Sequence, residues 1–211
     1  MICVSFSDKS ILENLKQLEK YNRVEIRMDM MMPSMDEIVQ IFSSPVQLIA
    51  TCKKVDLQDE KRFEMLKTAI ESGAAFIDID LDEPRTFRKE LMKIAKDLEC
   101  TVIISWHNYK FTPDKKKLTE KVEECFKNGA DIAKVVCMSH SAKDSARISG
   151  LYDTEKPLIA FGMGEEGRFS RIASLALGAP FTYAYPDESK ATAPGQLSFR
   201  ELKQISELLN L

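Results

Sequence analysis

With 211 residues, 44% of them hydrophobic and 30% charged, the chain is long enough for one substantial core and is expected to form a single domain over residues 1–211. Its 33 acidic and 30 basic side chains give a formal charge of -3, and no basic stripe is interleaved with aromatics, which argues against nucleic acid and anionic membrane as partners. No apolar run approaches the ~20 residues that span a bilayer; "MICVSFSD" lacks the marks of a signal peptide, and the five cysteines show no CxxC spacing, so reduced thiols and a cytoplasmic location are expected.

In chain order, eight runs rich in Ile, Val and Phe read as strands: ICVSFS from residue 2, VEIRMD from 24, QLIATC from 47, AFIDIDL from 75, TVIISWH from 101, IAKVVCM from 132, PLIAFGM from 157 and PFTYAYP from 180. Helical patterns alternate with them over Lys9 to Lys20, Met35 to Phe42, Gln58 to Ser72, Glu83 to Leu98, Asp114 to Asn128, Ser141 to Gly150, Gly167 to Leu177 and Leu197 to Leu209. Gly73, Gly129 and Gly178 punctuate helix ends just before the next strand. Repeated strand-then-helix order predicts parallel strands joined by helices. Eight such units make an α/β protein of the (β/α)8 TIM-barrel type the expected fold, with an open doubly wound sheet as the alternative. The polar span from Thr182 to Gln196 is too long for a tight turn and reads as a functional loop, a lid.

Side chains alternate across a strand, and in a barrel the outward face is covered by helices. Val24, Ile26 and Met28 take the outward face, which turns Glu25, Arg27 and Asp29 inward. The same alternation sends Asp78 and Asp80, Ser105 and His107, and Lys134 inward, while Trp106 faces out. Inward charges also occur as satisfied ion-pair layers that only specify packing, and a lone histidine beside an apolar strand is more often a core residue than a catalyst.

The lysine weighs against both bland readings. An ammonium in the apolar run IAKVVCM costs several kcal/mol unless it is paired, solvated from one side or deprotonated. A desolvated lysine shifts toward its neutral form and adds to a carbonyl to give a Schiff base. The protonated imine acidifies the neighbouring C–H bond, and His107 is the side chain best matched to removing that proton near neutral pH. Asp78 or Asp80 fits the role of holding the imidazole tautomer. A metal site would want more histidines or a tighter carboxylate cluster than this acidic set, which Arg27 interrupts. No Walker loop follows a strand. After the seventh strand, FGMGEEG leads into RFSR, where a helix opening with Arg168 and Arg171 suits an anion, carboxylate included; for Arg168 a solvated surface charge is the competing reading.

The ordered set EIRMD, FIDIDL, SWHNY followed by TP, DIAKVVCM, GMGEEGRFSR and TAPGQ runs through nearly the whole chain and resembles the type I 3-dehydroquinate dehydratase (3-dehydroquinase) family, imine-forming enzymes of the shikimate pathway. The resemblance implies a (β/α)8 barrel, a homodimer, no metal or organic cofactor, and syn elimination of water from 3-dehydroquinate to give 3-dehydroshikimate. It makes Lys134 the Schiff-base lysine and His107 the general acid/base. It assigns substrate binding to Ser5, Glu25, Arg27, Met163, Arg171, Tyr183, Thr192 and Gln196, the last two in the lid. Lys53 stands where the family usually has an arginine, followed by VDLQDE in place of a Glu-Gly-Gly turn, so only Asp56 is near the position of the glutamate that orients the histidine. Asn108 replaces the acid that commonly follows the histidine, and Asp80 stands for a glutamate. Two rivals remain at this stage: an aldolase or transaldolase barrel acting on phosphorylated sugars, and a non-catalytic barrel that only binds a carboxylate ligand.

Overall fold

A computed structural model describes residues 1–54, 57–189 and 191–211. The strands are β1 (Ile2–Phe6), β2 (Arg23–Arg27), β3 (Gln47–Thr51), β4 (Phe76–Asp80), β5 (Thr101–Asn108), β6 (Ile132–Met138), β7 (Leu158–Met163), β8 (Thr182–Tyr185) and a two-residue β9 (Leu197–Ser198). The helices are α1 (Met28–Met31), α2 (Met35–Phe42), α3 (Asp59–Glu71), α4 (Arg85–Asp97), α5 (Lys115–Lys127), α6 (Ala142–Ser149), α7 (Arg168–Ala176) and α8 (Phe199–Leu208). The alternation is that of a (β/α)8 barrel.

The chain packs as two compact units, Ser5–Ile103 and Met1–Val4 with Ile104–Leu211. In the first, β2, β3 and β4 pair in parallel, with Arg27 opposite Thr51 and Thr51 opposite Asp78. In the second, β6 pairs with β7 in parallel, Lys134 opposite Ile159, and the start of β1 pairs with β8, Ile2 opposite Thr182. The β-branched runs that form these strands are buried almost throughout, as expected when both faces of a parallel sheet are covered.

Local chemistry sets the helix ends. Ser34 opens α2 with a reciprocal capping box to Glu37, and Ser198 opens α8 the same way with Glu201. Asp114 caps α5 and Ser141 caps α6. Gly73 and Gly129 sit just past α3 and α5 at φ of 108° and 94°, backbone that a side chain resists.

Three departures from the expected elements matter. The first helical pattern breaks at Asn14 into two 3-10 turns, Lys9–Glu13 and Leu15–Lys20, each burying one anchor, Ile11 and Leu18. The strand VEIRMD ends at Arg27, and the chain turns into α1, so Asp29 reaches its place from a helical turn rather than from the strand's inward face. Leu197 and Ser198 add to β8 as β9 before α8 begins.

One edge of β7 is taken by β6; side chains and the loop after β8 satisfy the other. The Ala160 N–H donates to the Tyr152 hydroxyl at 2.7 Å, and that hydroxyl donates to the Ala160 carbonyl at 3.0 Å. Two residues on, the Gly162 N–H donates to Ser170 Oγ at 2.7 Å. After two more residues, the Gly164 N–H donates to the Pro194 carbonyl at 3.0 Å. Buried edge groups must find partners, and here hydroxyls replace a strand.

Candidate active site

In the unit that holds β5 to β8, Lys134 lies in the middle of β6 and is 5% exposed. Its ammonium stands 4.1 Å from the centre of the Tyr183 ring on β8. Tyr183 is in turn packed against Phe161 and Phe181, at 5.9 and 5.5 Å between centroids. Arg171, on α7, lies with its guanidinium 4.2 Å over the Phe161 ring. Two buried cations thus rest on a shared aromatic platform, a weakly polar surface that favours cations but does not neutralise them.

The two cations differ in what their burial leaves undone. Arg171 is 2% exposed, makes no ion pair among the described residues, and its Nε has no hydrogen-bond partner. Burial alone pulls its pKa down to about 9, so it stays charged at neutral pH and lacks a counter-charge. A ligand carboxylate would supply that charge bidentately. Arg168, by contrast, is half exposed and pairs with Glu165 at 3.2 Å, as the solvated reading had it.

His107 lies near the end of β5, and its ring stacks on Tyr109 at 5.7 Å with planes 8° apart. Trp106 carries the Lys121 ammonium of α5 5.4 Å over its ring, which places the tryptophan toward the helix and the alternate residue His107 on the opposite face. Asn108 accepts the N–H groups of Lys110 and Phe111 at 3.0 and 3.2 Å, so it turns the chain directly after the histidine. Two residues not singled out as site residues in the sequence brace this turn: Thr112 donates to the Met138 carbonyl at 2.8 Å, and Arg147 donates to the carbonyls of Thr112 and Pro113, each at 3.0 Å. The signal for Thr112 was the TP that follows SWHNY; Arg147, inside α6, had none. Met163 is buried at the end of β7. In the loop after β8, Thr192 donates both its N–H and its hydroxyl to Gln196 Oε1, each at 2.8 Å, which brings the two expected lid residues together.

The unit formed by Ser5–Ile103 gathers the remaining residues. Glu25, 4% exposed, accepts the Ser5 hydroxyl at 2.6 Å and the Thr51 hydroxyl at 3.0 Å. Thr51, which sequence reading passed over, therefore shares the work of holding this carboxylate. Arg27 forks onto Asp29 through Nε at 3.0 Å and Nη2 at 2.6 Å. Lys53 reaches Asp78 at 2.7 Å and Asp80 at 3.8 Å. Burial opposes the Lys53 charge, yet these two carboxylates outweigh it and hold its pKa above the usual lysine range. Lys53 is thus a partner of both aspartates named for His107. Asp56, the third, lies outside the described residues. Among those described, no group of three or more His, Cys, Asp or Glu is placed to hold a metal ion, and no helix is long and apolar enough to cross a membrane.

Strand–helix repeats with a buried lysine on the sixth strand and a buried arginine after the seventh define a class: a (β/α)8 barrel that sets an amine and a guanidinium on one aromatic platform. The model of the family described as Type I 3-dehydroquinase matches residues 2–211. The chain belongs to the type I 3-dehydroquinase family. It is 34% identical over 219 residues to the 3-dehydroquinate dehydratase of Methanococcus maripaludis, covering 99% of this chain and all of that one. It is 33% identical to that of Methanocaldococcus jannaschii, with both chains fully covered. Among solved structures, the 3-dehydroquinate dehydratase of Aquifex aeolicus superposes with a TM-score of 0.83 at 27% identity, over 99% of this chain and 98% of that one. The type I enzyme of Clostridium difficile, solved with covalently modified comenic acid, gives a TM-score of 0.85 at 23% identity over 99% and 91%; at that identity the likeness speaks to the fold.

Proposed function

We propose that this chain is a 3-dehydroquinate dehydratase, a hydro-lyase of the shikimate pathway that converts 3-dehydroquinate to 3-dehydroshikimate by syn loss of water through a lysine imine. Family membership across residues 2–211 supports the activity. The observation that carries the chemistry is the pair of buried cations, Lys134 and Arg171, set on the rings of Tyr183 and Phe161. One has the place of a nucleophile and the other has a charge that only a ligand completes.

Lys134, deprotonated, adds to the substrate ketone, and His107 gives a proton to the carbinolamine hydroxyl, which leaves as water. The resulting iminium draws electrons from the adjacent carbon, and His107 removes one proton there to leave an enamine. The enamine expels the β-hydroxyl as His107 returns that proton, so a second water is lost and a conjugated iminium remains. Hydrolysis consumes one water, releases the enone and restores the Lys134 amine. Arg171 clamps the carboxylate; Ser5, Glu25 and Arg27 bind substrate hydroxyls, with Glu25 held by Ser5 and Thr51 and Arg27 aimed by Asp29. Lys53 acts as a point charge fixed by Asp78 and Asp80, in place of an arginine fork. Met163 and Tyr183 supply apolar contact, and Thr192 and Gln196 close the lid that excludes bulk water. In the same reading, residues 1–211 form one catalytic domain that works in the cytoplasm as a homodimer, without metal or organic cofactor.

The test mixes the protein with 3-dehydroquinate, with and without borohydride. An intact-mass adduct mapped to Lys134, together with the ultraviolet absorbance of the conjugated product in the untreated sample, is expected. No adduct and no absorbance change would reject the function. Lys134→Ala is expected to lose the adduct and turnover together, and His107→Ala to lose turnover.

A further inference from the structure

The loop after β8 returns to the turn after β7, and the contact there is backbone on backbone. Gly195 has a φ of 72°, and a Cβ added to it would lie 2.1 Å from the Gly164 carbonyl oxygen and 2.6 Å from its carbonyl carbon. That carbonyl has no room to retreat, because it also accepts the Gly167 N–H at 3.0 Å, and Gly167 is itself pressed against Gly162. Beside this contact, the Gly164 N–H donates to the Pro194 carbonyl at 3.0 Å. The position along β7 is also specified: Tyr152 and Ser170 already occupy the two preceding places on the same edge, at Ala160 and Gly162. Gly164 is the next N–H along that edge, so a loop shifted back by two residues meets the Ser170 hydroxyl.

We propose that Gly164 and Gly195 are positioning residues of the lid, forming a side-chain-free seat that fixes where Thr192 and Gln196 arrive over the substrate. The lid is braced internally, since Gln196 accepts twice from Thr192 and its own N–H donates to the Ala193 carbonyl at 3.2 Å. Thr192 to Gln196 are therefore tied to one another, and the seat beside them sets the height of that turn. Displacing the seat withdraws Gln196 from its buried place without touching Lys134, His107 or Arg171. The kinetic part of this inference rests on the dehydratase reading; the structural part does not.

The test compares Gly195→Ala with Gly178→Ala in the full chain. Gly178 has a similarly positive φ, 94°, but an added Cβ there meets nothing within 4 Å, so it carries the backbone strain of the substitution without the collision. Hydrogen exchange of the Gly164 amide is expected to accelerate about tenfold or more in Gly195→Ala and to be unchanged in Gly178→Ala, since only the first loses its acceptor. The KM for 3-dehydroquinate is expected to rise about tenfold in Gly195→Ala and to stay within about twofold in Gly178→Ala. Gly195→Asn provides a second variant: asparagine tolerates positive φ yet brings a Cβ, and it is expected to lose the same protection. Retained Gly164 protection in both Gly195 variants would overturn the seat, as would equal effects in Gly178→Ala. A wild-type chain without turnover would defeat the dehydratase reading while the exchange measurement still decided the seat.

Discussion

Arg171 is the residue whose energetics and function pull in opposite directions. A guanidinium buried without a counter-charge costs on the order of a few kcal/mol in the free protein. Because folding depresses its pKa to about 9, that cost is present in full below pH 9 and relaxes as pH rises above it, where the unfolded chain still holds the proton and the folded one releases it. Arg171→Met is therefore expected to raise the melting temperature of the ligand-free chain while raising KM by roughly a hundredfold, as loss of a charge-assisted bidentate contact does. Calorimetry and initial rates on the same preparation check both halves. Lys134, His107 and Arg171 could be picked out as candidates from the sequence, since an ionisable group in an apolar strand or after one announces itself. Their partners were not: that Tyr183 and Phe161 carry the two cations depends on β6, β7, β8 and α7 being brought together, which no local pattern encodes.

At the scale of elements, the end of β3 is held by a buried ion pair. Arg62 of α3 bonds Glu83, which precedes α4, and donates to the Cys52 carbonyl at 3.0 Å, one residue before Lys53. Its guanidinium also lies 5.2 Å from the Phe87 ring. Removing Glu83 leaves the buried Arg62 with only the partly exposed Asp59 at 2.9 Å as counter-charge, so Glu83→Ala is expected to cost about 3 kcal/mol in denaturant unfolding, whereas the apolar pair Arg62→Met with Glu83→Leu costs much less. On α2, whose start depends on a capping box rather than on burial, Ser34→Ala is expected to cost about 1 kcal/mol. The helix spans were readable from periodicity, and Met35–Phe42 matches the expected span to the residue. The break at Asn14 and the early end of β2 were not, because the same Leu and Met residues satisfy a continuous helix or strand until tertiary packing selects which of them to bury.

For the whole molecule, eight repeats were visible because periodicity switches from two to 3.6 at every strand end. The division into two compact units left no trace in composition, since both carry the same alternation. All five cysteines are buried, Cys52 and Cys100 in one unit and Cys3, Cys125 and Cys137 in the other. Burial pushes the Cys52 and Cys137 thiols up to about 12, so thiolate is scarce at these two positions at any working pH, and the other three are shielded by burial. A thiol reagent at pH 8 is expected to leave the native protein unmodified over the time that consumes a free thiol, and to modify five sites after unfolding, as counted by intact mass.

The pairing of Ile2 with Thr182 joins residues about 180 positions apart. During synthesis at roughly 5–20 residues per second, β1 emerges and then waits on the order of 10–40 s for β8 to leave the ribosome. For that interval the strand ICVSF presents one apolar edge to whatever else the cell has in reach. Its early turns offer little cover, since the segment that follows forms only short 3-10 turns, which rarely persist alone. Completion of this pairing is thus a late event of synthesis, set by β8 and not by β1.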